Sequence, residues 1–583
     1  MGIGTISQAN TKLITDFIKQ KPGHRQYWHN VDTLNTAMQI ANTYKQHKGT
    51  VFVVTADMQK AYELAGYLKF FLIYEDAVNL FPDLEILPYD KFSPHPDIIA
   101  SRIKVLQKLR KNFSGIIISS AQNLFRYLPP KEYVGQFSLS YAVGDVLDLP
   151  KESEYLAEMG YSKMQQIRGP GEFAVRGSIF DIFPINSKNP LRLDLFDNEI
   201  DSIRVFDVET QRSIKKVENF GVFPNHEFSL DKASCTRFIY NWQTHFPRAD
   251  KSIMLDAVKQ QKAAPGLENY LPLFFEEVNT LFDYIAEDAL CVHVGDTIKQ
   301  AENFWQQVRE RHQQYAADIQ LPLLLPEQAF YVVDKVFQSF RKYSELHINN
   351  GNVKDKSNHI QFDGNELPEL RANFSSKHPF SNLQKLFKQY PDYKILFVAD
   401  SNGRCEILQQ HLRRSDIQTV LVDSWTEFLK IDMTQQRCYL LCAEVYDSAI
   451  LQELKTVLIS EQQLFDKKIV QRAKSSSKTK EKGIKIYDVG ELKVDTLVVH
   501  FEYGIGRYLG LNNIESDGIS SEYLTVEYAD KDMIYVPVQD LHLISRYSSA
   551  NLDNVALHTL GTDKWLKPES VRLKRFGIWR QSY

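Results

Sequence analysis

The chain has 583 residues, of which 43% are hydrophobic and 24% charged, and its formal net charge is −4. That length suggests roughly four domains, the composition is that of ordinary globular protein, and the near-balanced charge excludes a surface built throughout to hold nucleic acid. Five cysteines are too few for a disulfide framework, so a reducing compartment, the cytoplasm, is the expected location.

The opening MGIGTISQANTKLITDFIKQK has no continuous apolar segment before a cleavage site, so it reads as a short first helix and not as a signal peptide. No apolar run approaches the length of a membrane span, and no membrane partner is expected. Up to residue 140 helical and strand patterns alternate. VDTLNTAMQIANTYKQH is an amphipathic helix, GTVFVVTAD a buried strand, MQKAYELAGYLKFFL a helix, and SGIIISSAQNLFRYL a strand followed by a helix. This predicts an α/β domain with a parallel sheet over 1–140.

Over 141–215 the chain turns to short alternating strands separated by Gly, Pro and Asn: GEFAVRGSIFDIFPINSKNPLRLDLFDNEIDSIRVFD. This predicts a compact, mainly antiparallel insert. Residues 216–345 return to mixed helix and strand. Residues 346–379 contain the polar NNGNVKDKSNHIQFDGNE and are expected to be a linker. Residues 380–460 form a second α/β domain, and 461–485 a flexible basic linker around KKIVQRAKSSSKTKEKG. Residues 486–548 read as four strands, VDTLVVHF, GRYLGLNNI, EYLTVEYA and MIYVPV, with QDLHLISRY as a closing helical turn. So many short strands suggest a small barrel. Residues 549–583 remain as a tail.

An α/β opening invites a search for a nucleotide site. A phosphate-cradling loop needs G-x-x-x-x-G-K-[ST], yet the dipeptide Gly-Lys occurs nowhere, and the first strand–helix junction reads KPGHRQYWHNVDTLN. GPGEFAV and GIGRYL lack the third glycine of a dinucleotide loop and open strands. HExxH, GxSxG and CxxC are absent, and the 15 histidines are scattered. Cys438 and Cys442, in CYLLC, read as core residues. No catalytic group, cofactor or metal is therefore expected in this chain.

The insert carries a more informative pattern. Leu191, Leu193 and Leu195 alternate with Arg192, Asp194 and Phe196, so the leucines fill one face of a strand and leave a Phe beside an Arg on the other. By the same parity Arg176 shares the wet face of its strand, and Arg204 and Phe206 share one on the third. A single exposed Phe or Arg is ordinary. A cluster of arginines and aromatics has the composition of a binding face, with Glu199, Asp201 and Arg204 as its charged rim. In the small β unit, Gly504, Gly506 and Gly510 are expected to serve backbone turns and not ligands. Phe501, Tyr503 and Arg507 lie around the turn that follows the first strand, although Phe501 shares the face of Val499 and could equally be core.

Three stretches carry a resemblance. GEFAVRGSIFDIFP and LRLDLFDNEIDSIRVFD resemble the UvrA-binding domain shared by UvrB and the bacterial transcription-repair coupling factors. LVVHFEYGIGRYLGLNNI with EYLTVEYADKDMIYVPVQDLHLISRY resembles the RNA polymerase-interaction domain of those coupling factors, a CarD-like, Tudor-like barrel. LPYDKFSPHPDIIASRI resembles their first α/β domain. The order matches, and the resemblance runs to about Trp565. UvrB itself would require a phosphate loop.

The resemblance implies a multidomain α/β and α+β architecture. It would comprise a degenerate, UvrB-like, helicase-like α/β domain with a mainly antiparallel UvrA-binding insert, an α/β spacer domain, and a small β-barrel that grips the RNA polymerase β subunit. It implies a role in transcription-coupled nucleotide excision repair, coupling stalled polymerase to UvrA. It assigns UvrA contacts to Arg176, Arg192 and Phe196, and polymerase contacts to Phe501, with Tyr503 and Arg507 in support and strand addition to a partner's sheet edge as the implied mode. Family members of full length continue into an ATP- and Mg-dependent DNA translocase, through which DNA is mainly bound. After LHTLGTDKW this chain reads LKPESVRLKRFGIWRQSY, where Pro568 would break the helix leading to the motor. The expectation is a truncated member without the motor and with an open UvrA face. The rivals are a UvrB-like DNA-damage-binding module acting without polymerase, and an enzyme with a degenerate but active nucleotide site.

Overall fold

The computed structural model describes residues 17–18 and 21–546, apart from 73–74, 112, 137–138, 209, 319, 350–357, 362–366, 375–377, 432–436, 466–494, 501–503, 517–518 and 538–543. The fold is mixed α/β with parallel and antiparallel sheets, divided into two compact units. One holds Met1–Leu84 and Pro96–Ser475, the other Glu85–His95 and Ser476–Tyr583. Among the described residues no helix is long and apolar enough to cross a membrane.

The first unit is built on a seven-stranded sheet. Its strands run in the order His359–Gln361, Arg25–His29, Ser344–Asn349, Leu290–Val294, Thr50–Thr55, Gly115–Ser120, Val78–Phe81. Every pairing is parallel. Central strands such as TVFVVT are buried throughout, as expected where both faces are covered. The helices Thr33–His47 and Met58–Phe71 start on Asp32 and Asp57, whose carboxylates accept from the backbone N–H three residues on. The edge strand His359–Gln361 lies within the stretch expected to be a linker. Its histidine stacks on Tyr27 at 4.4 Å, and Leu370, further along, is fully buried in the next domain's core. A polar composition concealed these few anchoring side chains.

A five-stranded sheet follows, ordered Val420–Val422, Cys438–Cys442, Lys394–Ala399, Thr456–Ser460, Ala449–Leu451, with only the last pair antiparallel. It packs against the first domain. Trp425 meets Phe70 and Phe71 at 5.2 and 5.1 Å between ring centroids, and the backbone N–H of Asp447 donates to the Tyr67 hydroxyl at 3.3 Å.

The insert is a six-stranded sheet: Ser213–Val217, Glu199–Phe206, Leu191–Phe196, Ile179–Phe183, Glu172–Arg176, Ser162–Lys163. All pairs are antiparallel except the last. The chain enters along Leu139–Ala142 and leaves along Asn219–Val222, and these two strands pair antiparallel with Ala142 opposite Asn219. Beyond this neck, Glu227 accepts from the fully buried Arg102 at 2.7 Å. The same guanidinium donates to Pro82 O and Asn123 Oδ1 at 2.7 and 2.8 Å. A buried charge fixed on three sides ties the insert's exit to the helix Pro96–Leu109.

The second unit contains a five-stranded antiparallel sheet, ordered Met533–Pro537, Ile519–Glu527, Gly504–Ser516, Leu497–His500, Ile544–Arg546. Val498, Tyr508, Leu524, Val526 and Ile534 are in its core. Residues 544–546, expected in a helical turn, form a strand instead, because Ile544 alternates inward to that core. A Cβ on Gly506 would lie 2.4 Å from Val526 Cγ1, so this glycine permits close packing of paired strands and does not sit in a turn.

Candidate functional site

One face of the insert's sheet is apolar. Phe173, Phe180, Ile182, Leu191, Leu193, Ile200 and Ile203 are all buried there. The opposite face holds the polar side chains. Register sets Ala174 opposite Asp181, Asp181 opposite Arg192, and Arg192 opposite Arg204. Arg176, Arg192 and Arg204 therefore share a face, as the alternation predicts.

They are bound to the sheet itself. Asp181 is 1% exposed and accepts from Arg176 Nη2 at 2.5 Å and from Arg192 Nε and Nη2 at 2.7 and 2.9 Å. The hydrogen bonds to Asp181 hold the Arg192 guanidinium above its ordinary pKa. Arg192 Nη2 also reaches Gln211 Oε1 at 3.0 Å. Arg204 pairs with Asp194, which also accepts from Ser202 Oγ at 2.9 Å. Arginine clustering that reads as a free docking patch is thus a carboxylate-centred lattice, with Arg176 and Arg204 partly open to solvent and Arg192 mostly covered.

Phe206 departs from the expected exposed position. It is fully buried with Ile167, Ala174 and Phe183 in a small cluster on this same face, and the Arg192 guanidinium lies 4.3 Å from its ring centroid. Ile167, on the segment before the Glu172–Arg176 strand, helps close that end of the face. The other end stays open. Phe196 is 76% exposed at the last position before a tight hairpin in which Asp197 has φ 53°. Glu199 and Asp201 are exposed beside it. Asp201 is the extra residue of a bulge, the register against the neighbouring strand shifting between Ile200 and Ser202. Val146, 74% exposed, bridges to Glu199 and adds a second apolar side chain to the tip. Alternation within single strands could not reveal Val146, because a separate loop brings it there.

On the small β unit, Phe501 and Tyr503 lie outside the described residues. Arg507 is half-exposed and lies 4.0 Å from both Asp495 and Glu527. The strand Leu497–His500 is hydrogen-bonded on both sides, to Gly504–Ser516 and to Ile544–Arg546. Strand addition along it is therefore closed. Among the described strands the outer positions belong to Ile544–Arg546 and Met533–Pro537.

At the position where a nucleotide loop would precede the helix Thr33–His47, Asp32 Oδ1 accepts from the Asn35 backbone N–H at 2.8 Å and Oδ2 from the Asn35 amide at 2.6 Å. A helix N-terminus favours an anion, and here the chain's own carboxylate takes that role. Asn35 and Gln39 of the same helix bond to Ile450 O and Glu453 of the second α/β domain at 3.3 and 2.5 Å.

Three family models match the chain: the UvrB interaction domain over 139–228, the MFD D3 domain over 387–464, and the CarD-like/TRCF RID domain over 492–548. The chain is 33% identical to the transcription-repair-coupling factor of Haemophilus influenzae, over 94% of this chain and 48% of that protein. It is 32% identical to that of Escherichia coli, over 90% of this chain and 45% of that protein. With the Bacillus subtilis protein the identity is 24%, over 88% and 44%. The chain spans about half the length of the curated relatives it matches. Three domain matches in order, and similarity along nearly its whole length, make the chain similar to the part of the transcription-repair-coupling factors that carries these domains.

Proposed function

We propose that the chain acts in transcription-coupled nucleotide excision repair as a bridge between the RNA polymerase β subunit and UvrA. The insert is the UvrA-facing module, the small β unit the polymerase-facing one, and the second α/β domain the spacer. The reading rests on the matched domains and on one observation above all. Phe196 stands 76% exposed, the most exposed aromatic side chain of this sheet, with Val146 exposed beside it. An aromatic anchor beside arginines is the usual make-up of a binding hot spot. Arg176 and Arg204, with Glu199 and Asp201, form its charged rim. Arg192 acts by holding the lattice beneath. Phe501, Tyr503 and Arg507 are proposed for the polymerase side. The first α/β domain serves as a scaffold without nucleotide turnover.

Capture of UvrA on immobilised chain tests this. Phe196→Ala should weaken capture by about 30-fold or more, the loss expected of a hot spot, with an unchanged thermal midpoint. Wild-type capture by a folded Phe196→Ala protein would refute the assignment of this face.

A further inference from the structure

The strands Leu290–Val294 and Ser344–Asn349 lie side by side inside the seven-stranded sheet. Their parallel register sets Cys291 opposite Glu345 and His293 opposite His347. Residues two apart on a strand share a face, so the four side chains form a two-by-two array, and all four are buried. Glu345 Oε2 lies 3.4 Å from His293 Nε2 and 3.3 Å from His347 Nε2. Cys291 Sγ is 3.6 Å from His293 Nε2.

These spacings, the His347–Glu345 hydrogen bond among them, are compatible with two chemistries. A charge-assisted N–H···O bond spans about 2.7–2.9 Å. Donors around a tetrahedral zinc ion, with bonds of about 2.0–2.3 Å, sit about 3.3–3.7 Å apart. The surroundings suit the second. Arg25 Nε donates to Glu345 Oε1 at 2.8 Å, leaving Oε2 for the histidines. His293 Nδ1 lies 3.0 Å from Thr297 Oγ1, the kind of outer partner that fixes a ligand's tautomer.

We propose that His293, His347 and Glu345 bind a zinc(II) ion or a similar borderline divalent metal, with the Cys291 sulfur, 3.6 Å from His293 Nε2, moving in to complete the shell. On ligation Cys291 gives up its proton to solvent, and the dication is then balanced by one carboxylate and one thiolate. A metal lies in the plane of the imidazole that binds it, whereas these rings stack at 4.3 Å and 3°. Loading therefore tilts them out of their stack. The ion would cross-link two neighbouring strands of the main sheet and stabilise the domain by mass action.

The test is a cobalt(II) titration of the full chain with zinc competition. The wild type should take up one equivalent with the strong visible bands of tetrahedral cobalt, displaced by zinc. Folded H293Q and H347Q should bind more than about 100-fold more weakly, since outer-shell changes alone cost 10–100-fold. C291S should lose the thiolate charge-transfer band if the sulfur ligates, and keep the stoichiometry. No tetrahedral cobalt spectrum in the folded wild type, or wild-type affinity in folded H293Q and H347Q, would overturn the proposal. Should both variants fail to fold, X-ray absorption of the zinc-loaded wild type decides. Two imidazoles with an oxygen donor support the site, and a shell without paired imidazoles refutes it.

Discussion

Asp181 receives three hydrogen bonds from two arginines while itself 1% exposed. Removing a buried carboxylate leaves its partners uncompensated, at a cost of about 3–5 kcal/mol. Asp181→Ala is expected to lower the unfolding free energy by that amount in a urea titration. The double variant with Arg192→Ala should cost less than the sum of the two single changes, because removing both partners leaves fewer orphaned charges. Additive losses would show that the pair is not coupled. Arg192→Ala should also lower the melt on its own, as Phe206 loses its cover, whereas Phe196→Ala should not. The parity of LRLDLF foretold that Arg192 and Phe196 share a face. It could not foretell that Asp181 sits beneath the arginines, because that depends on which residue of a neighbouring strand stands opposite, a fact carried by pairing register and not by either strand alone.

At the scale of elements, the helix Met58–Phe71 joins two domains. Its Phe70 and Phe71 rings meet Trp425, which is 6% exposed. Trp425→Ala should cost about 3–5 kcal/mol, the range for truncating a large buried aromatic. Limited proteolysis should then release the second α/β domain at protease levels that leave the wild type intact, and unaltered resistance would count against the packing. Element types were legible from period and composition where runs were long, as in TVFVVT and MQKAYELAGYLKFF. They failed at His359–Gln361 and Ile544–Arg546, three-residue strands too short to show a period. The convergence of His293 with His347 was illegible for the same reason as Asp181. CVH and ELH stand far apart in sequence, and only the parallel register makes them neighbours.

For the whole molecule, the first domain is built on an open, all-parallel α/β sheet, and such sheets bind ligands beyond the carboxyl ends of their strands. Here the helix after Arg25–His29 is capped by Asp32 and bonded through Asn35 and Gln39 to the second α/β domain. ATP with magnesium should therefore leave the thermal midpoint unchanged and be hydrolysed at background rate. A site filled at 100 times its Kd would add about 2.7 kcal/mol, so a shift of several degrees would contradict the scaffold reading.

The neck of the insert has a consequence for how such a protein is assembled over evolutionary time. With Ala142 directly opposite Asn219, everything between them begins and ends within one strand spacing, about 5 Å. To the host domain the insert resembles the tip of a long hairpin, held beyond the neck by bonds such as Tyr161 to Phe223 O and Asn225 to Gly160 O, so another module of the same span would need to replace only those contacts. A module mounted in this way can change its surface while the body that carries it stays the same.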